Sequence, residues 1–299
     1  MTEEEKISIG ERIARARKRK KINEKECSQD KLAELMVKEL GEESNLSAQA
    51  VSCWERGKCL PETEKLIALA DALDVSLDSL LREEHGWELK PVNFEADHMY
   101  TFLKGQIKRF ELAQTLEVMD KYLRLAHKDQ PRWSKYGFDT TYMVHPLTLA
   151  CHALAMGIHD DEAIAACIAH DMVEDTKDRP EREKRVELED LPEGRIREAV
   201  GLLSKNLYDQ NQDNWEDEYY KAIKKNPLAC LVKCLDRVHN LAGMADGFTY
   251  SKMVEYTQET DRYYPELLEV LKGDLKYNDA WWLLRYQLNA LLETFKRML

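Results

Sequence analysis

Ser47-Ala-Gln-Ala-Val-Ser-Cys-Trp-Glu-Arg-Gly-Lys-Cys-Leu-Pro61 reads as one short helix with both of its ends spelled out. Ser47 is an N-cap, its side-chain oxygen placed to accept from the free amides of the first turn. Ala50, Val51 and Trp54 fall on one face, and Gly57 with Pro61 ends the helix. The pattern repeats on either side. Upstream, Ser28 caps a segment carrying Leu32, Ala33, Leu35 and Met36 that closes at Gly41, with Lys31 rather than Glu at the capping-box position. Before it, Ile7, Ile9, Ile13 and Ala16 recur near three-to-four spacing; downstream, Leu66, Ile67, Leu69, Ala70 and Leu73 do the same. Short helices repeated to Leu81 predict a compact helical unit over 1–82.

Helical periodicity continues over 99–125, 146–156, 161–173, 195–204, 215–225, 228–245, 250–271 and from Asn278 onward. Residues 177–194 and 206–214 read as loops. Gly86 and Pro91 mark a linker over 83–98, followed by a helical domain over 99–272 and a C-terminal helix over 273–299. With 12 Gly and 8 Pro in 299 residues, a turn-rich all-β chain is disfavoured, and 43% hydrophobic residues exclude a disordered one. The expected fold class is all-α, in two domains. No Gly-rich phosphate loop and no internal repeat is present in the sequence.

The formal net charge of −12 argues against indiscriminate polyanion binding. Residues 1–90 carry 16 Lys and Arg against 20 Asp and Glu, and the other 209 carry 28 against 36. Inside the first segment, seven of the ten residues 12–21 are basic, which by itself suits a solvated helix C-terminus. The start is acidic, and no apolar run approaches a bilayer span, so a soluble, cytoplasmic chain without membrane contact is expected. Seven cysteines without a Cys-x-x-Cys pair read as reduced thiols.

Ser28-Gln-Asp-Lys-Leu-Ala-Glu-Leu-Met36 together with residues 47–61 resembles the Cro/phage-repressor-type (XRE) helix-turn-helix, across residues 7–82. The resemblance implies double-stranded DNA as partner and a homodimer on a palindromic site. By that match Ala48, Gln49, Ser52 and Cys53 face the major groove, and Gln29 and Lys58 meet phosphate. Gln49 can read adenine through two hydrogen bonds, whereas Ala48 and Cys53 offer little. About eight residues near 37–45 lengthen the second helix or its turn relative to the family. The competing reading of the unit is protein contact or dimerisation.

The second half carries the chemistry. His145-Pro146 opens one helix, His170-Asp171-x-x-Glu174-Asp175 closes another, and Asp236-Arg237-x-x-Asn240 lies on a third. Adjacent His170 and Asp171 can both turn inward only at a helix end, and Glu174 and Asp175 follow one turn later. Two imidazoles (His145, His170) and two carboxylates (Asp171, Asp236) suit Mn²⁺ or another divalent metal. Glu174 and Asp175, not needed as ligands, are the catalytic pair, orienting or deprotonating the attacking water and protonating the leaving group.

Four strings resemble HD metal-dependent phosphohydrolases, and more narrowly the RelA/SpoT-type and small alarmone hydrolases: Tyr142-Met-Val-His-Pro146, Ala169-His-Asp-Met-Val-Glu-Asp-Thr176, Val232-Lys-Cys-Leu-Asp-Arg-Val-His-Asn240 and Glu259-Thr-Asp-Arg-Tyr-Tyr264. Their order and spacing match over about 110–272. The resemblance implies an Mn²⁺-dependent (p)ppGpp 3′-pyrophosphohydrolase acting on a purine nucleotide. It further implies substrate contacts from Arg132, Lys135, Asn240 and Lys252. The family's Arg-Lys pair is here Arg132-Trp133, its Gly-Glu-Pro is missing before Tyr142, and Gly243 stands where a hydroxyl residue is usual.

His85, His98, His127, His152 and His159 lack partners at ligand spacing and read as surface or packing residues, while His239 reads as a positioning residue. Trp281, Trp282 and Tyr286 read as core or dimer surface. Two other functions compete with the enzyme: a nucleotide-sensing regulator without turnover, and an HD hydrolase of another nucleotide.

Overall fold

The computed structural model describes residues 1–22, 25–41, 44, 46–82, 95–127, 130–132, 140–178 and 185–299. The chain divides into two units, residues 1–89 with 248–254 and 299, and residues 90–247 with 255–298. Both are built from helices. The expected linker lies largely outside the described residues.

In the first unit, α1 (Glu3–Arg19) starts in a full capping box: the Glu5 N–H donates to Thr2 Oγ1 at 3.1 Å, and Glu5 accepts from the Thr2 N–H at 2.6 Å. The serines before α2 (Gln29–Leu40), α3 (Ala48–Glu55) and α5 (Leu77–Leu81) each accept from an amide of the first turn. Between the last two, α4 (Thr63–Leu73) ends on Asp74 in the left-handed region. Ile13, Leu32, Met36, Val51 and Leu69 are completely buried where these helices meet. Burial of each such side chain stabilises by about 1.5–3 kcal/mol. A Cβ on Gly10 would stand 2.5 Å from the Trp54 carbonyl oxygen, and one on Gly57 2.6 Å from the Ile7 backbone. Only glycine lets α1 and the end of α3 approach this closely.

The extra residues after the second helix of the motif are partly helical, since α2 runs on to Leu40 before Gly41 turns at φ 89°. Two antiparallel pairs were not expected: Lys21–Ile22 with Lys25–Glu26, and Pro131–Arg132 with Thr140–Thr141. Two residues per strand are too few for alternation to register in a sequence.

The second unit contains α6 (Ala96–Phe110), α7 (Ala113–Val118), α8 (Arg124–His127), α9 (Val144–Ala155), α10 (Asp161–Ala169), α11 (Met172–Thr176), α12 (Arg195–Leu203), α13 (Trp215–Ile223), α14 (Pro227–Gly247), α15 (Tyr250–Gly273) from Glu255 onward and α16 (Asn278–Met298). Helix α10 is its centre: every residue from Ala163 to Ala169 is fully buried, with α7, α9 and α12 packed around it. A helix surrounded on all sides has no polar face to show. Helix α14 packs on α9, α12 and α16. The final helix is thus part of this unit's core, through Leu284, Leu288 and Leu292.

The single helix expected over 99–125 is broken. Glu111 adopts φ 55°, and α7 restarts because Asp161 accepts from the Gln114 and Thr115 amides, both at 2.8 Å. That cap comes from another helix, so local pattern could not reveal it. A π-helical turn at Met119–Leu123 then hands on to α8, which ends at His127. The helix expected over 161–173 also divides, at His170-Asp171, between α10 and α11. None of the described helices is long and apolar enough to cross a membrane.

Candidate functional site

Three helix ends and the middle of a fourth helix converge in the second unit. His145 opens α9, His170 and Asp171 follow α10, Glu174 and Asp175 lie on α11, and Asp236 and Asn240 lie on α14. All seven line one cleft of about 190 Å³, with Tyr142, Lys205, Lys233 and Tyr256.

The four predicted ligands form a cage. His145 Nε2 stands 3.2 Å from His170 Nε2, 3.3 Å from Asp236 Oδ1 and 3.9 Å from Asp171 Oδ2. His170 Nε2 is 3.6 Å from Asp171 Oδ2 and 4.0 Å from Asp236 Oδ1. His145, His170 and Asp171 place their donor atoms within 4.8 Å of one another. Outer hydrogen bonds hold both rings in place. His170 Nδ1 donates to the Cys167 carbonyl at 3.0 Å, and His145 Nδ1 pairs with His239 Nδ1 at 2.8 Å. Both Nε2 atoms are thereby aimed at the cage. Burial lowers the His145 pKa and takes His239 down to about 2, so these rings are neutral, the form that ligates. Burial opposes the charge of Asp171 and Asp236, yet neighbouring histidines, with Lys233 beside Asp236, hold both well below the usual carboxylate range. Tyr142 donates to Asp171 Oδ2 at 2.8 Å.

Glu174 accepts from the Lys205 backbone N–H at 3.1 Å, and Asp175 accepts from Gln130 Nε2 at 3.1 Å. Burial and the charge of Asp171 push Asp175 up to about 6. A carboxyl that titrates near neutrality can both take and give a proton.

The assignment of His127 to surface or packing is corrected. It has no exposure, its Nε2 is 3.3 Å from Asp171 Oδ1, and its Nδ1 is 3.9 Å from Asp175 Oδ2. These neighbours are remote in sequence and meet only because the π turn and α8 deliver His127 against α11. Lys205 and Lys233 were also missed. They add two cations to an acidic cleft, Lys233 lying 3.5 Å from Asp236. Nothing in Ser204-Lys205-Asn206 signals a site, and Lys233 looks like an ordinary helix residue.

Of the predicted nucleotide-binding residues, the structure joins two: Arg132 Nη2 donates to Asn240 Oδ1 at 3.3 Å. Lys252 is exposed and does not line the cleft. Lys135 lies outside the described residues, as do Trp133 and His85. Two of the resembling strings meet in a buried pair, Arg237 Nη2 to Glu259 Oε2 at 2.7 Å, with the guanidinium 3.5 Å from the Tyr256 ring centre.

In the first unit, a groove lined by Gln29, Ala48, Gln49 and Ser52 runs between α2 and α3. Gln49 and Lys58 are exposed and Cys53 is half-buried. Gln29 is held: its amide donates to Glu55, which also binds Arg17. Nor is the basic run uniformly solvated. Arg12 is buried and donates to the Leu80 carbonyl at 2.9 Å and the Leu81 carbonyl at 3.0 Å. Arg12 and Arg17 therefore serve the fold, while Arg15, Lys18 and Arg19 stay on the outer face.

All seven cysteines are free thiols. No curated protein matches the chain. A family model described as helix-turn-helix matches residues 14–80, so the first unit carries a helix-turn-helix of the DNA-binding kind.

Proposed function

We propose that the second unit is a metal-dependent phosphohydrolase of the alarmone type, cleaving the 3′-pyrophosphate of (p)ppGpp or a related purine nucleotide, joined to a DNA-binding regulator module that acts as a homodimer. The observation that carries this reading is one cleft holding a histidine–carboxylate cage, a carboxyl titrating near neutrality and two lysines.

The donor set fits a divalent ion such as Mn²⁺: two imidazoles with their Nε2 atoms presented, and two ionised carboxylates. His145, His170, Asp171 and Asp236 would hold it, and it would supply Lewis-acid polarisation of phosphoryl oxygen. The protein's own groups do the rest. Tyr142 orients Asp171 by its hydrogen bond. Asp175, with a pKa of about 6, removes a proton from the water that attacks phosphorus and returns one to the leaving ribose 3′-oxygen, with Glu174 orienting that water. Lys205 and Lys233 offset the charge of a pyrophosphate entering among acids. Arg132 and Asn240 are joined at the edge of the cleft and would meet the nucleoside.

Incubating the full chain with ppGpp, ppApp and dNTPs in Mn²⁺ and reading released pyrophosphate or phosphate tests the reading. Pyrophosphate from ppGpp or ppApp, stopped by chelation and restored by Mn²⁺, is the expected result. Release from dNTPs alone would select the hydrolase of another nucleotide. A second reading, a nucleotide-sensing regulator, is favoured by the helix-turn-helix in the same chain. Nucleotide binding without hydrolysis of any of these substrates would select it.

A further inference from the structure

Helix α16 packs on the second unit through Leu284, Leu288, Leu292 and Phe295, and its opposite face carries large apolar side chains into solvent. Trp282 is 67% exposed and Tyr286 73%, with Leu283 exposed beside them. At about 3.6 residues per turn, Asp279, Trp282, Tyr286, Ala290, Glu293 and Arg297 form one stripe along that face. A solvated helix face ordinarily carries charges, so neighbouring exposed aromatics mark a surface short of a partner. The stripe is also ordered by charge. Asp279 stands at one end, exposed and without a hydrogen bond or ion pair among the described residues. Arg297 stands at the other, exposed and paired among the described residues only with Glu293 of its own helix, at 3.2 Å.

We propose that this face of α16 is a homodimer interface, in which the helix pairs antiparallel with its copy about a two-fold axis. The register follows from the spacing. Asp279 and Arg297 lie nine residues either side of position 288, so an axis crossing at that level sets Asp279 of each copy opposite Arg297 of the other. The same axis brings Tyr286 level with Ala290 and Trp282 level with Thr294, so each ring meets a small side chain rather than another ring. Large against small lets two helices approach to the roughly 8–10 Å of packed pairs. The oppositely charged ends select the antiparallel arrangement, since a parallel pair would set Asp279 against Asp279 and Arg297 against Arg297. Trp and Tyr are also the side chains that most often anchor protein interfaces.

This inference deepens the homodimer reading and rests on it. Sedimentation equilibrium of the full chain, run over a range of concentrations, reads the dissociation constant directly. The wild type is expected to be a dimer. Trp282→Glu with Tyr286→Glu, at two exposed positions outside the core, should raise the dissociation constant by about a hundredfold or more. Asp279→Arg and Arg297→Asp should each weaken the dimer by about tenfold, and the two together should restore it, because every opposed pair is then reversed. A monomeric wild type overturns the inference and the homodimer reading together. A dimer indifferent to the aromatic substitutions overturns the inference alone and places the contact elsewhere in the chain. Charge reversals that add rather than cancel overturn the antiparallel pairing.

Discussion

Glu55 in the first unit and Glu259 in the second are both largely buried carboxylates paired with arginine, and their surroundings differ. Glu55 binds Arg17 and Gln29, tying α1, α2 and α3 at the edge of an apolar core. Glu259 binds Arg237, Tyr220 and Lys205 beside a cleft that also holds histidines and aspartates. Among the described residues, every buried side-chain atom without a hydrogen-bond partner lies in the second unit, His127 Nε2 and Asp171 Oδ1 among them. A buried charge whose partners are all supplied by the fold is architecture. Ionisable groups gathered around a cleft, beyond what the fold needs, point to something that binds.

Asp236→Ala should break the comparison most severely. Turnover should vanish, together with the ion held by His145 and His170, while the first unit keeps its fold. Full occupancy of that ion, measured by metal analysis, would remove Asp236 from the site.

Next in size is the glutamate pair itself. Glu259→Gln leaves Arg237 buried without its counter-charge and should cost about 3–5 kcal/mol in denaturant unfolding. Glu55→Gln leaves an Arg17 that is less deeply buried and also bonded to the Cys27 carbonyl, and should cost about 1–3 kcal/mol. Arg237 and the nearby lysines outweigh burial and hold Glu259 at about 2 against an ordinary 4.5. The stability from this depressed value is present above pH 4.5 and lost as the pH falls toward 2. The Glu259→Gln protein should therefore show a flatter pH dependence across that window; an unchanged slope would mean that Glu259 is not the titrating group.

Glu174→Ala and Asp175→Ala separate chemistry from binding. Each should lose about a hundredfold or more in kcat while nucleotide and the ion of the His145–His170 cage stay bound. Unchanged hydrolysis in the double variant would sink the mechanism.

The smallest effect belongs to the first unit. Gln49→Ala with Ser52→Ala should weaken binding to a palindromic operator by about 1–3 kcal/mol for each base no longer read, with little change in stability, since Gln49 is exposed. Wild-type binding should fall steeply with salt. Retained specificity in the double variant, measured by titration of labelled duplexes, would show that α3 is not the reader.

Much of this molecule is legible without coordinates, for local reasons. Serine caps and three-to-four apolar spacing place α2 and α3, because capping and amphipathicity act over a few residues. The six acids and histidines that line the cleft carry their chemistry in their own side chains, and adjacent His170 and Asp171 already require a helix end. Tertiary contact decided what spacing could not. Asp161 cut one expected helix in two by capping α7 from another helix. His127 came to rest against Asp171 and Asp175, Lys205 and Lys233 entered the cleft, and Arg12 and Arg17 left the basic face for the interior. Each of these depends on which helix lies beside which, a question answered by packing of the whole chain and written in no short stretch of it.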